Sequence, residues 1–353
     1  MVGTTGSPRK AHSRSSGPEF FWFQAKYVPL VDGFFQVPVP KLSSSARIIA
    51  ATAVLAAPAA WGACPEPVLQ AIADGVYAIP GRGVVPARDN CGRSANGFVA
   101  VGPGGAILID PGPSLREGLA LKRVLAHKLQ RPVVALIDTH AHPENVMAAA
   151  AFPKVPVIAS DLTAGLMAER CPRCLARLKR EVGEDGMRGT EIVLPTRTVP
   201  QSDTRVIGGR SLRILRFEHA HVRGDLAVLD TATGTLFAGG LAVSGFVPEM
   251  GESSLAGWRK AIAELTALAP RRTVPGHGKA AAGDPLAETR AYLDDVTAFV
   301  RRELKGGADL ASALERADMP TYRPWTGYGQ RHLLNVQRAW QELEQDFFFG
   351  AQD

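Results

Sequence analysis

An apolar run, Val133-Val134-Ala135-Leu136-Ile137, leads almost directly into Thr139-His140-Ala141-His142-Pro143-Glu144-Asn145. No other stretch limits the fold of this chain so tightly. The run has the length and β-branched content of a strand, and residues two apart at a strand end share a face. His140 and His142 can therefore aim both imidazoles at one point. Two more histidines stand in glycine-marked turns downstream, His221 in His221-Val222-Arg223-Gly224-Asp225 and His277 in Pro275-Gly276-His277-Gly278. Three imidazoles and an open water position are the usual minimum for a catalytic zinc. The pattern predicts a hydrolytic metal site.

Composition narrows the alternatives. The 353 residues are 46% hydrophobic, enough for a sizeable core. The net charge of +6 comes from scattered Lys and Arg, with no basic run interleaved with aromatics, which argues against nucleic-acid binding. No G-x-x-x-x-G-K-[S/T] or G-x-G-x-x-G loop opens a helix, so a nucleotide cofactor has no support.

Lys41, Arg47, the apolar run from Ile48 to Trp61, and the small residues Gly62 and Ala63 have the layout of a secretory signal peptide over 41–63. The run is shorter than the ~20 residues of a membrane span and Pro58 interrupts it, so no span is expected once the signal is removed. Residues 1–40 mix Ser, Gly, Arg and Phe without period and read as a disordered extension or as sequence ahead of the true start. Export to the periplasm follows. In an oxidising compartment Cys171-Pro172-Arg173-Cys174, within the helical stretch 161–182 and far in sequence from the histidine motifs, predicts a local disulfide rather than a redox pair. Cys64 and Cys91 are the other candidate pair.

The periodicity gives paired strands over 97–100 and 106–109 around Gly102-Pro103-Gly104-Gly105, then a helix capped by Ser114 through Leu125. A short helix over 145–152, a buried strand over 155–159 and a helix capped by Asp161 follow. The second half echoes this plan: strands over 212–217, 226–229 and 236–238, a helix after Ser254, and a strand at Thr273-Val274. The tail from Pro285 to Asp346 is mostly helical, with a break at Tyr322–Tyr328.

His140-x-His142-x-Glu144-Asn145, His221-x-x-Gly224-Asp225, Phe237-Ala238-Gly239-Gly240 and Pro275-Gly276-His277-Gly278, preceded by Ile109-Asp110-Pro111-Gly112, resemble the successive motifs of the metallo-β-lactamase fold superfamily. The segment Asn90–Phe98, Trp258, and Asn335 with Glu342-Leu343-Glu344 are similar to the quinoprotein relay system zinc metallohydrolases. The resemblance implies an αββα sandwich over 64–283 and a C-terminal helical extension over 284–353. It implies metal ligands at His140, His142, His221 and His277, catalytic roles for Glu144 and His277, and Asp110 and Asp225 orienting ligands from behind. It also implies a small-molecule substrate and a link to a pyrroloquinoline-quinone dehydrogenase system.

Two departures limit the carry-over. Glu144 and Asn145 stand where the superfamily has Asp and His, and Gly240 stands where it has a metal-bridging carboxylate. A neutral amide is a poor zinc donor, so one zinc per chain is expected. The alternative is a catalytically degenerate, metal-binding accessory protein of the same fold, or a Glu144 that merely caps the following helix. His219 competes with His221 from the same face but reads as a neighbour, and His12, His127 and His332 read as surface residues.

Overall fold

The computed structural model describes residues 64–281 and 283–349. The signal peptide and N-terminal extension expected above lie outside the described residues. One sheet runs in the order β1 (Gln70–Ala73), β2 (Val76–Ile79), β3 (Gly97–Gly102), β4 (Gly105–Ile109), β5 (Val133–Ile137), β6 (Val157–Ser160), β7 (Arg197–Val199). Pairing is antiparallel up to β4 and parallel beyond it. The second sheet contains β8 (Asp203–Ile207), β9 (Arg210–Arg216), β10 (Leu226–Asp230), β11 (Thr235–Phe237) and β13 (Arg272–Val274), in the order β13-β11-β10-β9-β8. The short β12 (Val243–Ser244) pairs in parallel with β14 (His277–Gly278).

The central strands are buried on both faces, and alternate residues feed different cores. Phe98, Ala100, Ile107 and Ile109 of the first sheet meet Leu212, Ile214, Val228 and Phe237 of the second in one cluster. Phe98 and Phe237, both fully buried, pack as tilted rings with centroids 5.2 Å apart. Truncating either ring would cost about 3–5 kcal/mol. The intervening positions Val99, Ala106 and Leu108 face outward onto Leu121 and Leu125 of α1 (Leu115–Leu129). On the far side Leu215, Ala227 and Leu236 pack under α4 (Leu255–Ala267), α5 (Pro285–Lys305) and α7 (Tyr328–Phe349). Helices thus cover both outer faces, giving the αββα sandwich with C-terminal helices. Tyr292, Val296, Val300 and Trp340 belong to the same cluster as the second sheet, so the C-terminal helices are part of its cover.

Ser114 and Ser254 cap α1 and α4 by accepting from the backbone amides of Glu117 and Gly257. Three local expectations need correction. The cap of α3 (Asp161–Val182) is Ser160, whose hydroxyl accepts from the Thr163 amide, and Asp161 is the first helical residue. The short helix starts two residues early, as α2 (Pro143–Val146), because Pro143 fits a first helical turn; a 3-10 turn over Met147–Ala151 continues it. His332 is buried, not on the surface: its Nε2 donates to the Ala317 carbonyl at 2.6 Å and its Nδ1 lies 3.0 Å from the Tyr292 hydroxyl.

The cysteine pairing differs as well. Cys64 and Cys91 form a disulfide with Cα atoms 5.9 Å apart. Cys171 and Cys174 are free thiols, so the local disulfide expected there is not formed. They lie one turn apart in α3 and hydrogen-bond to each other. Among the described residues no helix is long and apolar enough to cross a membrane.

Candidate metal centre

The parallel strands β4 and β5 end side by side, and the site grows from their carboxyl ends. Asp110, just past β4, holds a left-handed backbone with φ of 51°, an uncommon conformation for a non-glycine residue. That turn carries its carboxylate to the end of β5. Oδ1 accepts from the Thr139 amide at 2.8 Å, and Oδ2 accepts from the Thr139 hydroxyl at 2.7 Å. The same hydroxyl lies 2.8 Å from His140 Nδ1. Its one hydrogen goes to Asp110, so it accepts from His140 Nδ1–H. His140 is thereby set as the Nδ1–H tautomer, with the Nε2 lone pair free. That Nε2 atom is buried and has no hydrogen-bond partner. Burial pushes the Asp110 carboxyl up to about 6, against the bonds from Thr139, so it remains an acceptor at neutral pH.

His142 leaves the same strand exit one residue before α2, and His221 arrives from the loop after β9. Their ring centroids form a triangle with His140, at 4.7, 4.9 and 4.8 Å, and the three ligand nitrogens lie within 4.8 Å of one another. Burial and then the neighbouring His142 and His221 hold the His140 pKa well below its ordinary value, which keeps it a neutral donor. Gly224 turns the His221 loop at φ of 84°; a Cβ there would sit 2.5 Å from the Ser160 hydroxyl. Its carbonyl accepts from that hydroxyl at 2.6 Å, which ties the loop to the start of α3. Asp225 fixes the loop by accepting from the Val222 amide at 2.9 Å, and its other oxygen stands 3.6 Å from His221 Nδ1. The His221 ring rests against the edge of Trp258, which is anchored by donation from its Nε1 to the Leu241 carbonyl at 2.9 Å.

Glu144 sits in the first turn of α2 at the cleft wall, with Oε2 buried and unpartnered. His277 is buried nearby but is not one of the three clustered ligands. Its Nδ1 lies 3.1 Å from the Ser94 carbonyl, which can only accept, so the proton is on Nδ1 and Nε2 is free. Phe246 stacks on it at 4.9 Å, and burial, then Arg331 and His221, push its pKa down to about 3. Asn96 secures this turn by donating to the carbonyls of Pro275 and Gly278 at 2.8 and 3.1 Å. His219 lies apart, with Nε2 2.8 Å from the Glu252 carbonyl.

Gly240 has a role that its side chain's absence alone does not reveal. A Cβ at that position would lie 2.2 Å from His221 Nδ1 and 2.6 Å from Cε1. The His221 ring fills the direction in which a bridging carboxylate would project. The three-imidazole set, with a neutral orphaned donor atom and two free carboxylate or imidazole atoms near it, fits a divalent metal with affinity for nitrogen.

Several residues around the site were not singled out beforehand. A cleft of ≈ 330 Å³ opens over His142 and Glu144, and its far wall is α3, with Arg170, Arg173, Arg177 and Cys174. The Cys171/Cys174 pair, far from the histidine motifs in sequence, therefore adjoins the site. The arginines recur at helical spacing, a signal present in the sequence; what they face is not. Glu249 and Glu252 line the mouth. Despite partial burial, His142, Arg331 and His221 draw the Glu249 carboxyl down to about 2. The loop carrying Glu249 is held by α7: Asn335 donates to the Pro248 carbonyl at 2.8 Å and accepts from the Met250 amide at 3.2 Å. Glu342 accepts from the Leu255 amide at 2.9 Å, at the start of α4.

Comparison with known proteins agrees with this architecture. A metallo-beta-lactamase from Pontibacter korlensis superposes with a TM-score of 0.53 at 23% identity, covering 65% of this chain and 100% of that one. A metallo-beta-lactamase from Hirschia baltica gives 0.51 at 21%, covering 65% and 98%. At such identities the likeness concerns the fold alone. Among curated protein sequences nothing matches. The sequence model of the metallo-beta-lactamase superfamily matches residues 92–277, which span more than half of the chain and every clustered histidine, and the chain belongs to that superfamily.

Proposed function

We propose that this protein is a periplasmic hydrolase acting on a small-molecule ester, thioester or amide with one zinc held by His140, His142 and His221. The observation that carries the reading is the buried, unpartnered Nε2 of His140 inside a triangle of imidazoles. A bound zinc would supply Lewis acidity and a water acidified towards neutrality. The chain's own residues supply the rest. Thr139 and Asp110 fix which nitrogen of His140 faces the centre. Glu144, with its free Oε2, is placed to hold the proton of an attacking water and return it to the leaving group. His277, kept neutral by burial and held by Ser94, offers Nε2 as a ligand or as a hydrogen-bond acceptor that orients the attacking water.

Association with a quinoprotein dehydrogenase system is part of the same proposal. Its support is the similarity of Asn90–Phe98, Trp258, and Asn335 with Glu342-Leu343-Glu344 to the relay-system metallohydrolases, together with the work Asn96 and Asn335 do in fixing the His277 turn and the Glu249 loop. Metal analysis of the purified chain, paired with turnover of generic esters and thioesters, tests the hydrolase reading. About one zinc per chain, with turnover that collapses in Glu144→Gln while zinc is retained, is the expected result. Full zinc occupancy without turnover in the wild type would leave the accessory-protein reading in its place. Export with signal cleavage is tested separately: protein from a periplasmic fraction should begin near Ala63 or Cys64, and intact peptides from Ser7 to Phe20 in that fraction would defeat the cleavage.

A further inference from the structure

The motif Cys171-Pro172-Arg173-Cys174 has no part in the function proposed above, yet it stands at the same cleft. Cys174 is half-buried and lines the cleft together with His142 and Glu144, whereas Cys171 is fully buried behind it. The two thiols hydrogen-bond to each other. Residues three apart on a helix have Cα atoms about 5 Å apart, inside the roughly 4.4–6.8 Å range that a disulfide spans. Pro172 lies between them in α3 and removes one backbone hydrogen bond of the helix, which loosens the turn that must adjust. Beside the buried thiol, close enough to act on it electrostatically, is Asp138, fully buried with neither carboxyl oxygen bonded. An orphaned acid next to a thiol pair is costly as packing and is characteristic of functional sites.

The surrounding charge selects a kind of partner. Arg173 lines the cleft with no hydrogen bond or ion pair to the described residues, and Arg177 makes only a 3.9 Å contact with Glu181 on its own helix. The Cys171 hydrogen bond and the Arg177 charge hold the Cys174 thiol below its ordinary pKa.

We propose that Cys171 and Cys174 form a redox-active dithiol that exchanges with low-molecular-weight disulfides carrying carboxylate groups. The Cys174 thiolate attacks one sulfur of R–S–S–R, the S–S bond breaks, and R–S⁻ departs, leaving a mixed disulfide on Cys174. Cys171 then attacks the Cys174 sulfur, and the second R–S leaves with the proton that Cys171 gives up. The disulfide substrate is reduced to two thiol equivalents, and the pair is oxidised to one intramolecular disulfide. Arg173 and Arg177 draw the anionic substrate to the Cys174 sulfur at the cleft. The step requires no metal, so it stands or falls independently of the hydrolase reading.

The test treats the purified full chain with glutathione disulfide, which is anionic, and with cystamine, which is cationic, followed by alkylation and peptide mass spectrometry. The expected product is a Cys171–Cys174 disulfide, with Cys64–Cys91 unchanged and reversal by reduced glutathione. Cys171→Ser should stop at a mixed disulfide on Cys174. Arg173→Gln/Arg177→Gln should slow oxidation by glutathione disulfide about tenfold while leaving cystamine unaffected or faster. A wild-type chain that keeps both thiols, or that stalls as a mixed disulfide, overturns the dithiol. Equal rates for the two probes in wild type and in the arginine variant overturn the selection of anions.

Discussion

The two walls of the cleft are built on opposite plans. On the histidine wall three of the imidazoles are fixed from behind: Thr139 and Asp110 hold His140, Ser94 holds His277, and Trp258 backs His221. The wall formed by α3 presents long arginines whose bonds are few and solvent-facing, with Arg170 paired to Glu252 across the mouth. A donor set must keep its geometry before the metal arrives, so it draws on strand ends and buried networks. A wall that meets varied solutes gains from side chains that can move. The contrast predicts that substitutions on the first wall act on metal affinity and those on the second act on what enters.

The contrast would be broken most directly at the ligands. His140→Ala or His221→Ala should lose roughly a third of the zinc-binding free energy, about 3–5 kcal/mol or a few hundred- to a few thousand-fold in affinity, given the ~10–16 kcal/mol of a structural zinc site. Competitive titration against a chelator measures it, and unchanged affinity would remove the site. Gly240→Asp, which in superfamily terms restores a bridging carboxylate, should here displace His221, because its Cβ would collide with the ring. The expected cost is about 2–3 kcal/mol of stability, with zinc content falling below that of the wild type. This holds even with Asn145→His added, and a rise to two equivalents would show that the ring can yield.

A finer probe is Thr139→Val, which keeps the shape but deletes the hydroxyl between Asp110 and His140. Zinc affinity should fall about 10–100-fold, and thermal melting of the metal-free chain should move far less. Smallest of all is His219→Ala. Its ring bonds the Glu252 carbonyl outside the cluster, so zinc occupancy should stay within about twofold of wild type. Equal zinc loss from His219→Ala and His221→Ala would place both imidazoles on the metal.

Much of the fold was readable because its central strands carry both cores. Val133–Ile137, Leu226–Asp230 and Gly105–Ile109 are nearly continuous apolar runs, since each is buried on two faces. The strands with no sequence signal, β1, β7 and β8, are all sheet edges. Asp203-Thr204-Arg205-Val206-Ile207 contributes little to a core and carries polar side chains accordingly. The histidines were visible for a similar reason: each ligand sits in a short turn whose glycine or strand exit is local. Thr139 escaped notice because a threonine beside a histidine has no pattern of its own, and Glu249 because its loop is positioned from α7.

The sequence by itself determined the candidate metal-ligand set, since His140, His142 and the His221 turn carry their geometry in local spacing, and Ser114 and Ser254 mark their helices without outside help. Only the tertiary structure decided what surrounds that chemistry. It put Cys174 and the arginines of α3 opposite His142, filled the space beside Gly240 with the His221 ring, and left Cys171 reduced beside Asp138. The reason is physical: backbone turns and strand periodicity act over a few residues, whereas a cleft wall is set by how sheets and helices pack, and packing brings together residues whose sequence separation says nothing of their distance.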